Sequence, residues 1–187
     1  QVFRCTTTTY FLIVITPRRF GDARGWFSET WNRAQLAVAG LDFDFVQDNH
    51  SFSADRGTLR GLHYQAPPHA QTKLVRCSRG AVLDVAVDVR RGSHTFGQSM
   101  TVELTADNAK QLLVPEGFLH GFVTLQPDTE VQYKVTAPYA PESDGAVRWD
   151  SLGIDWGLKG PPVLSDKDAH APAFDMWVSP FTWEDEQ

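Results

Sequence analysis

Five ionisable side chains, His63, Lys73, Asp84, His120 and Tyr133, fall inside otherwise apolar, strand-like runs of this 187-residue chain. A buried ionisable group is costly unless it is paired, so each position calls for a partner or a task. Taken singly, each of them reads first as a satisfied core polar group or a strand residue facing water. Together, on the strands of one small domain, they point to a few polar groups gathered in an apolar cavity that holds a ligand. The densest stretch runs Arg60-Gly61-Leu62-His63-Tyr64-Gln65, then Pro67-Pro68, then Lys73-Leu74-Val75-Arg76-Cys77-Ser78-Arg79. A strand alternates its faces with period two, which puts Gly61, His63 and Gln65 on one face and Arg60, Leu62 and Tyr64 on the other. Arg60 and His63 are therefore expected to work on opposite faces. Gly61 weakens the strand, which is tolerable mainly where another backbone or a ligand must come close.

Two histidines on different strands raise the question of a metal. Pro115-Glu116-Gly117-Phe118-Leu119-His120 resembles the second motif of metal-binding cupins, in which the histidine is a ligand. The first cupin motif needs a His-x-His pair and a following glutamate, whereas His63 is followed by Tyr64-Gln65. With half the ligand set missing, and three protein ligands the usual minimum, no metal is expected.

The elements that must position these residues are short. The run from Phe11 to Thr16 reads as a strand stopped by Pro17, and Gly21 and Gly25 mark turns. Asn32 caps a short helix, with Gln35 completing a capping box and Gly40 closing it. Phe43 to Ser53, Arg60 to Gln65, Lys73 to Ser78, Ala81 to Val89, Ser99 to Leu104, Gln111 to Val114, Phe118 to Leu125 and Glu130 to Thr136 follow as strands. Joints such as Asp55-Arg56-Gly57, Arg79-Gly80 and Pro127-Asp128 separate them. Short, evenly spaced strands predict an all-β sandwich or barrel. From Pro138 the chain turns rich in Pro, Gly and Asp, with Arg148-Trp149-Asp150 and Ile154-Asp155-Trp156 as aromatic punctuation, which predicts a tail wrapped on the barrel.

Composition narrows the function classes. At 42% hydrophobic content the chain can bury one sizeable core, so residues 1–187 are expected to form a single domain. A formal net charge of −6 argues against nucleic acid as a general partner, although a local arginine cluster can still hold one anionic ligand. Two cysteines, Cys5 and Cys77, make no disulfide framework and suit a reducing cytoplasm. The apolar run Tyr10 to Ile15 is too short to span a membrane and lacks a secretory pattern, so no membrane partner is expected.

Seven blocks in order resemble the dTDP-4-dehydrorhamnose 3,5-epimerases, a family of cofactor-independent sugar-nucleotide epimerases. They are Phe45-Val46-Gln47-Asp48-Asn49-His50-Ser51, Leu59 to Gln65, Lys73-Leu74-Val75-Arg76, Asp84-Val85-Ala86-Val87-Asp88, Ser93-His94-Thr95-Phe96-Gly97, Pro115 to Phe122, and Leu164-Ser165-Asp166-Lys167-Asp168. The likeness runs from about Ile15 to the end; Gln1 to Tyr10 lack the expected opening, and His94 stands where a proline is expected. The resemblance implies a metal-free cupin-type jelly-roll barrel with a few short helices, assembled as a homodimer that exchanges N-terminal strands. It implies dTDP-4-dehydro-6-deoxy-D-glucose as substrate and dTDP-4-dehydro-L-rhamnose as product. By the family's pattern His63 is the base, Asp168 its orienting partner, Lys73 the stabiliser of the enolate, and Tyr133 the acid on the opposite face. Arg60 and Arg24 match diphosphate contacts, Phe27 and Tyr139 an aromatic sandwich around thymine, and Glu29, Gln47 and Asn49 nucleoside contacts. His120 joins the substrate-binding set.

The chemistry asks for such a set on its own account. A C–H beside a ketone is a weak acid, so removing its proton needs a base over it and a cation or donor at the ketone oxygen. Inversion also needs a proton donor on the other face. Arginine forks pair with diphosphate oxygens, and aromatic faces stack on a base. Three rivals stand beside this expectation: a single-centre 3-epimerase with the same base, a metal-dependent cupin enzyme, and a non-catalytic sugar-nucleotide binder. The binder would have no need of a His63 and Tyr133 pair.

Overall fold

The computed structural model describes residues 2–7 and 12–183. In chain order its strands are β1 Phe3–Thr7, β2 Ile13–Pro17, β3 Arg19–Asp22, β4 Gly25–Ser28, β5 Gln47–Ser53, β6 Leu59–Gln65, β7 Lys73–Arg79 and β8 Ala81–Asp88. They continue with β9 Ser99–Thr105, β10 Gln111–Val114, β11 Phe118–Thr124, β12 Thr129–Val135 and β13 Asp144–Ala146. Two short helices, α1 Arg33–Ala37 and α2 Asp166–Ala169, and a single 3₁₀ turn at Phe174–Met176 complete it. The strands form a six-stranded sheet in the order β1-β2-β10-β7-β12-β5, a five-stranded sheet in the order β13-β6-β11-β8-β9, and the separate hairpin β3-β4. From β5 to β13 the chain crosses between the two large sheets at almost every connection, the winding of a cupin-like jelly roll. The barrel expected from the sequence is thus two facing sheets without a closed ladder. No helix among the described residues is long and apolar enough to cross a membrane.

Side chains from both sheets meet in the central core, where Val75, Leu112 and Val131 face Val82, Ala86, Phe118 and Phe122. The five-stranded sheet is also buried on its outer face. There Leu62, Val85, Val87 and Leu119 pack under the tail residues Val147, Trp156 and Phe181, with Trp149 and Trp177 alongside. This double burial explains why β8 reads as a nearly continuous apolar run, the pattern of a strand covered on both sides. The outer face of the six-stranded sheet is covered in part by the α1 region, where Leu36 packs with Ile15, Leu74 and Leu113 beside Trp31, Phe43 and Phe45.

Several expectations need correction. Residues 43 to 46 lie outside β5; Phe43 and Phe45 bury their rings against the α1 region. Pro17 is the last residue of β2, opposite Phe3, and it is tolerated because pairing to β10 has already ended at Ile15. The expected strand from Phe11 begins outside the described residues, as do Tyr10 and Gln1. Near the N-terminus β1, largely exposed beyond Phe3, was not anticipated at all. The turn between β3 and β4 falls at Ala23-Arg24 and not on a glycine, with Asp22 Oδ1 accepting from the Arg24 N–H at 2.8 Å. Asn32 does cap α1, accepting from the Gln35 N–H at 3.1 Å, but the Gln35 side chain turns to Glu29 and leaves the box half made.

The largest correction lies in β6. Its alternation breaks at Gly61: the β11 partners step from His120 opposite His63 to Phe122 opposite Arg60. Leu59 before the break and Leu62 and Tyr64 after it face the same outer cluster, so odd and even positions exchange faces. Arg60 and His63 therefore line one cavity. The break depends on two glycines in contact. A Cβ on Gly61, whose φ is +129°, would sit 2.7 Å from Gly121 Cα, and one on Gly121 would sit 2.8 Å from the Arg60 carbonyl oxygen. Gly61 thus meets the expectation of close backbone approach while overturning the face assignment around it.

Candidate active site

His63 and His120 are cross-strand partners on β6 and β11, and both line a cavity of about 380 Å³. Arg60, Lys73, Tyr133 and Asp168 lie on the same walls. A second recess of about 160 Å³ shares His63, Lys73 and Tyr133 and continues to Gln47, Asn49 and Tyr139. Lys73 opens β7 and Tyr133 lies on β12, so four strands and the tail supply the groups.

Asp168 reaches this wall from the far end of the chain. Ser165 caps α2 by accepting the Asp168 N–H at 3.2 Å, which turns the short helix so that its carboxylate meets β6. Asp168 Oδ1 is 2.6 Å from His63 Nε2, and Oδ2 accepts the Gly61 N–H at 3.3 Å. Burial alone would raise this carboxyl, but the bonds from His63, Gly61 and Ser165 hold it below the usual carboxylate range. An ionised Asp168 makes Nε2 the protonated nitrogen of neutral His63 and leaves the Nδ1 lone pair free.

The other polar groups differ in how they are held. His120 Nε2 lies 2.8 and 3.0 Å from the two oxygens of Asp84, a fully buried carboxylate on β8. Burial lowers the Lys73 ammonium to about 8 against the raising influence of Asp144 and Asp84. Burial raises Tyr133, so it stays a phenol, and therefore a proton donor, at neutral pH. Arg60 donates through Nη2 to the Phe52 carbonyl at 2.9 Å and through Nε to Ser53 Oγ at 3.3 Å, which fixes it on the cavity wall. Gln47 donates to Asn49 Oδ1 at 2.8 Å and accepts the Tyr139 N–H at 3.0 Å, tying the exposed Tyr139 to the recess. Among the described residues no three His, Cys, Asp or Glu groups converge as a metal site, and each cavity histidine already has a carboxylate on Nε2.

Three expected ligand residues are not brought to these walls within the chain. Arg24 sits at the β3-β4 turn, 90% exposed and paired with Asp22. Phe27 is 70% exposed and stands directly opposite Phe20. Glu29 accepts from Asn32 Nδ2 at 2.7 Å and from Gln35 Nε2, at the start of α1. Two residues that the sequence reading passed over do belong to the walls. Lys167 of α2 reaches Asp144 of β13, joining the two cavities' rims. Nothing local in the sequence marks that pair, whereas the Ser165-x-x-Asp168 cap was a readable signal for α2.

The model of the family described as dTDP-4-dehydrorhamnose 3,5-epimerase matches residues 7–176. The chain belongs to this family. A relative of that name from Sinorhizobium fredii is 53% identical over 166 residues, covering 86% of this chain and 83% of its own. The solved dTDP-4-dehydrorhamnose 3,5-epimerase of Bacillus anthracis, with TDP and PPi bound, superposes with a TM-score of 0.89 at 46% identity, covering 92% of this chain and 99% of that one. The dTDP-6-deoxy-D-glucose-3,5-epimerase of Legionella pneumophila, in complex with dTDP-4-keto-L-rhamnose, also gives 0.89 at 41% identity, covering 93% and 94%.

Proposed function

We propose that this protein is an isomerase that epimerises dTDP-4-dehydro-6-deoxy-D-glucose at C3 and C5 to dTDP-4-dehydro-L-rhamnose, a step of L-rhamnose biosynthesis. The observation that carries the reading is the 2.6 Å contact of His63 with buried Asp168 on a cavity wall shared with Lys73 and Tyr133. His63 Nδ1 takes the proton from the carbon beside the C4 ketone, and Asp168 stabilises the imidazolium that forms. The electron pair moves onto the ketone oxygen, where the Lys73 ammonium meets the charge. Tyr133 returns a proton from the opposite face, which inverts the centre; the phenolate is then reprotonated from solvent while the His63 imidazolium gives its proton up to solvent. No redox partner or cofactor enters this balance.

Arg60 holds the diphosphate, His120 lies beside it, and Tyr139, Gln47 and Asn49 receive the nucleoside. The exposure of Arg24 and Phe27 supports a homodimer with exchanged N-terminal strands, in which those residues and Glu29 complete the partner subunit's site. A reducing cytoplasm suits the free Cys5 and Cys77. The test is NMR of the keto-sugar nucleotide in deuterated water. Deuterium at both C3 and C5 with the L-sugar formed is the expected result; exchange at C3 alone makes the protein a 3-epimerase, and no exchange refutes the reading.

A further inference from the structure

The hairpin β3-β4 is hydrogen-bonded to neither large sheet, so no ladder sets its direction. Isolated two-stranded hairpins this short are marginal at best. What ties it to the body is chiefly Arg19. Its guanidinium donates Nη1 to the Asp107 carbonyl at 2.9 Å and Nη2 to the Ala106 carbonyl, both in the turn after β9. The face of the same guanidinium lies 4.0 Å from the centre of the Trp26 ring, across the hairpin. Arg19, Trp26 and Ser28 thus look into a gap of about 270 Å³ against Cys77 and the 106–107 turn. The opposite face carries Phe20 and Phe27 as a direct cross-strand pair, 44% and 70% exposed, with Arg24 at the tip. One face holds to its own chain through the two Arg19 bonds, with Trp26 beside them still 61% exposed, and among the described residues the other pairs with neither large sheet.

On the exchange between subunits proposed above, on which this rests, we propose that Arg19 is a positioning residue for the partner subunit's site. By bridging two consecutive carbonyls while stacking on Trp26, it sets the angle at which Arg24 and Phe27 project. Only a planar fork does both tasks; a lysine offers a point charge and no flat face. Arg19 touches none of the cavity walls around His63, so its effect travels through the hairpin and crosses the subunit boundary.

The experiment combines steady-state kinetics with mixed dimers purified through two affinity tags. In the Arg19→Ala homodimer the loss is expected in KM, up to about 10²-fold in kcat/KM, as for a binding group displaced by an ångström or so. Arg19→Lys should resemble Arg19→Ala. A mixed dimer of Arg19→Ala with His63→Asn holds one site that joins an intact base to an intact hairpin, and it should work at wild-type KM with the turnover of a single site. A wild-type KM in the Arg19→Ala homodimer overturns the proposal, and so does a mixed dimer that keeps the raised KM. Should Arg19→Ala fail to fold, Trp26→Leu removes the ring and should raise KM in the same direction; an unchanged KM there also overturns it. The parallel mixed dimer of Arg24→Ala with His63→Asn separates the two layers. If that pair restores no intact site, exchange between subunits is wrong and the Arg19 role falls with it; if it restores one while Arg19→Ala is silent, only the Arg19 role is wrong.

Discussion

The two histidine–aspartate pairs stand side by side on neighbouring strands and are built differently. His120 and Asp84 lie within one sheet, on β11 and β8, with side chains 8% and 0% exposed. His63 is 32% exposed, and its carboxylate comes from α2, 105 residues away in sequence. The first pair is enclosed by the fold it helps to hold. The second is assembled by the tail across a cavity wall and keeps one edge of the imidazole open to a ligand. On the function proposed above, similar chemistry is divided between holding and reacting by exposure and by the origin of the carboxylate.

Replacing each carboxylate by its amide should break this comparison in opposite ways. Asp168→Asn keeps the shape but removes the charge that sets the His63 tautomer and favours its imidazolium. Turnover should fall by about 10²–10⁴, the usual range for acid–base catalysis, with KM nearly unchanged. Asp166→Asn, two residues before Asp168 in α2 and exposed, should be nearly silent in the same assay. Equal behaviour of the two variants would remove Asp168 from the mechanism.

Asp84→Asn should act on the fold instead. It weakens a buried bond to His120 and leaves His63 and Asp168 in place, so the expected cost is about 1–3 kcal/mol of stability. For a chain of this size each kcal/mol corresponds to roughly 2–4 °C in Tm, which thermal unfolding can resolve. Exchange of substrate protons at 25 °C should persist. A variant with wild-type Tm and abolished exchange would make the buried pair the reactive one and reverse the assignment.

Much of the fold was legible because strand burial leaves a pattern. Double burial of β8 shows as a nearly continuous apolar run broken by Asp84, and Val131 alternates with polar Glu130 and Gln132 as a half-buried strand does. Arg60 and His63 were misplaced relative to each other because a one-residue shift at Gly61 exchanges faces, and period-two reasoning carries no information about where such a shift occurs. The hairpin β3-β4 escaped notice because Phe20, Trp26 and Phe27 are left exposed in this chain, so burial did not shape a pattern there. Of the candidate site residues, His63, Lys73, His120 and Tyr133 stand out as polar intrusions in apolar strands, a signal that follows from the cost of burying charge, whereas Arg60 is assigned by the family resemblance. Asp168 sits among polar neighbours, where only the family resemblance set it apart from Asp166.

Lys73 sharpens the comparison from a third direction, because among the described residues it makes no ion pair with a carboxylate, and burial lowers it to about 8 against the raising influence of Asp144 and Asp84. If its ammonium meets the developing enolate, kcat should decline as pH rises through about 8, approaching tenfold per unit. Stability should move the other way. Below that pH both folded and unfolded chains carry the proton; between about 8 and the ordinary lysine value of 10.5 only the unfolded chain keeps it. The unfolded state then binds more protons, so the Lys73 contribution to stability rises with pH across that window. Tyr133 does not confuse the measurement, since burial moves it above the ordinary tyrosine value of 10.0. Lys73→Arg holds its charge at every accessible pH, so whatever activity remains should lose the decline near 8. Parallel pH profiles of kcat and of urea unfolding, in wild type and Lys73→Arg, give the decision. A decline that survives in Lys73→Arg belongs to another group, and activity that falls together with stability in the wild type is alkaline unfolding and not titration of the enolate's partner.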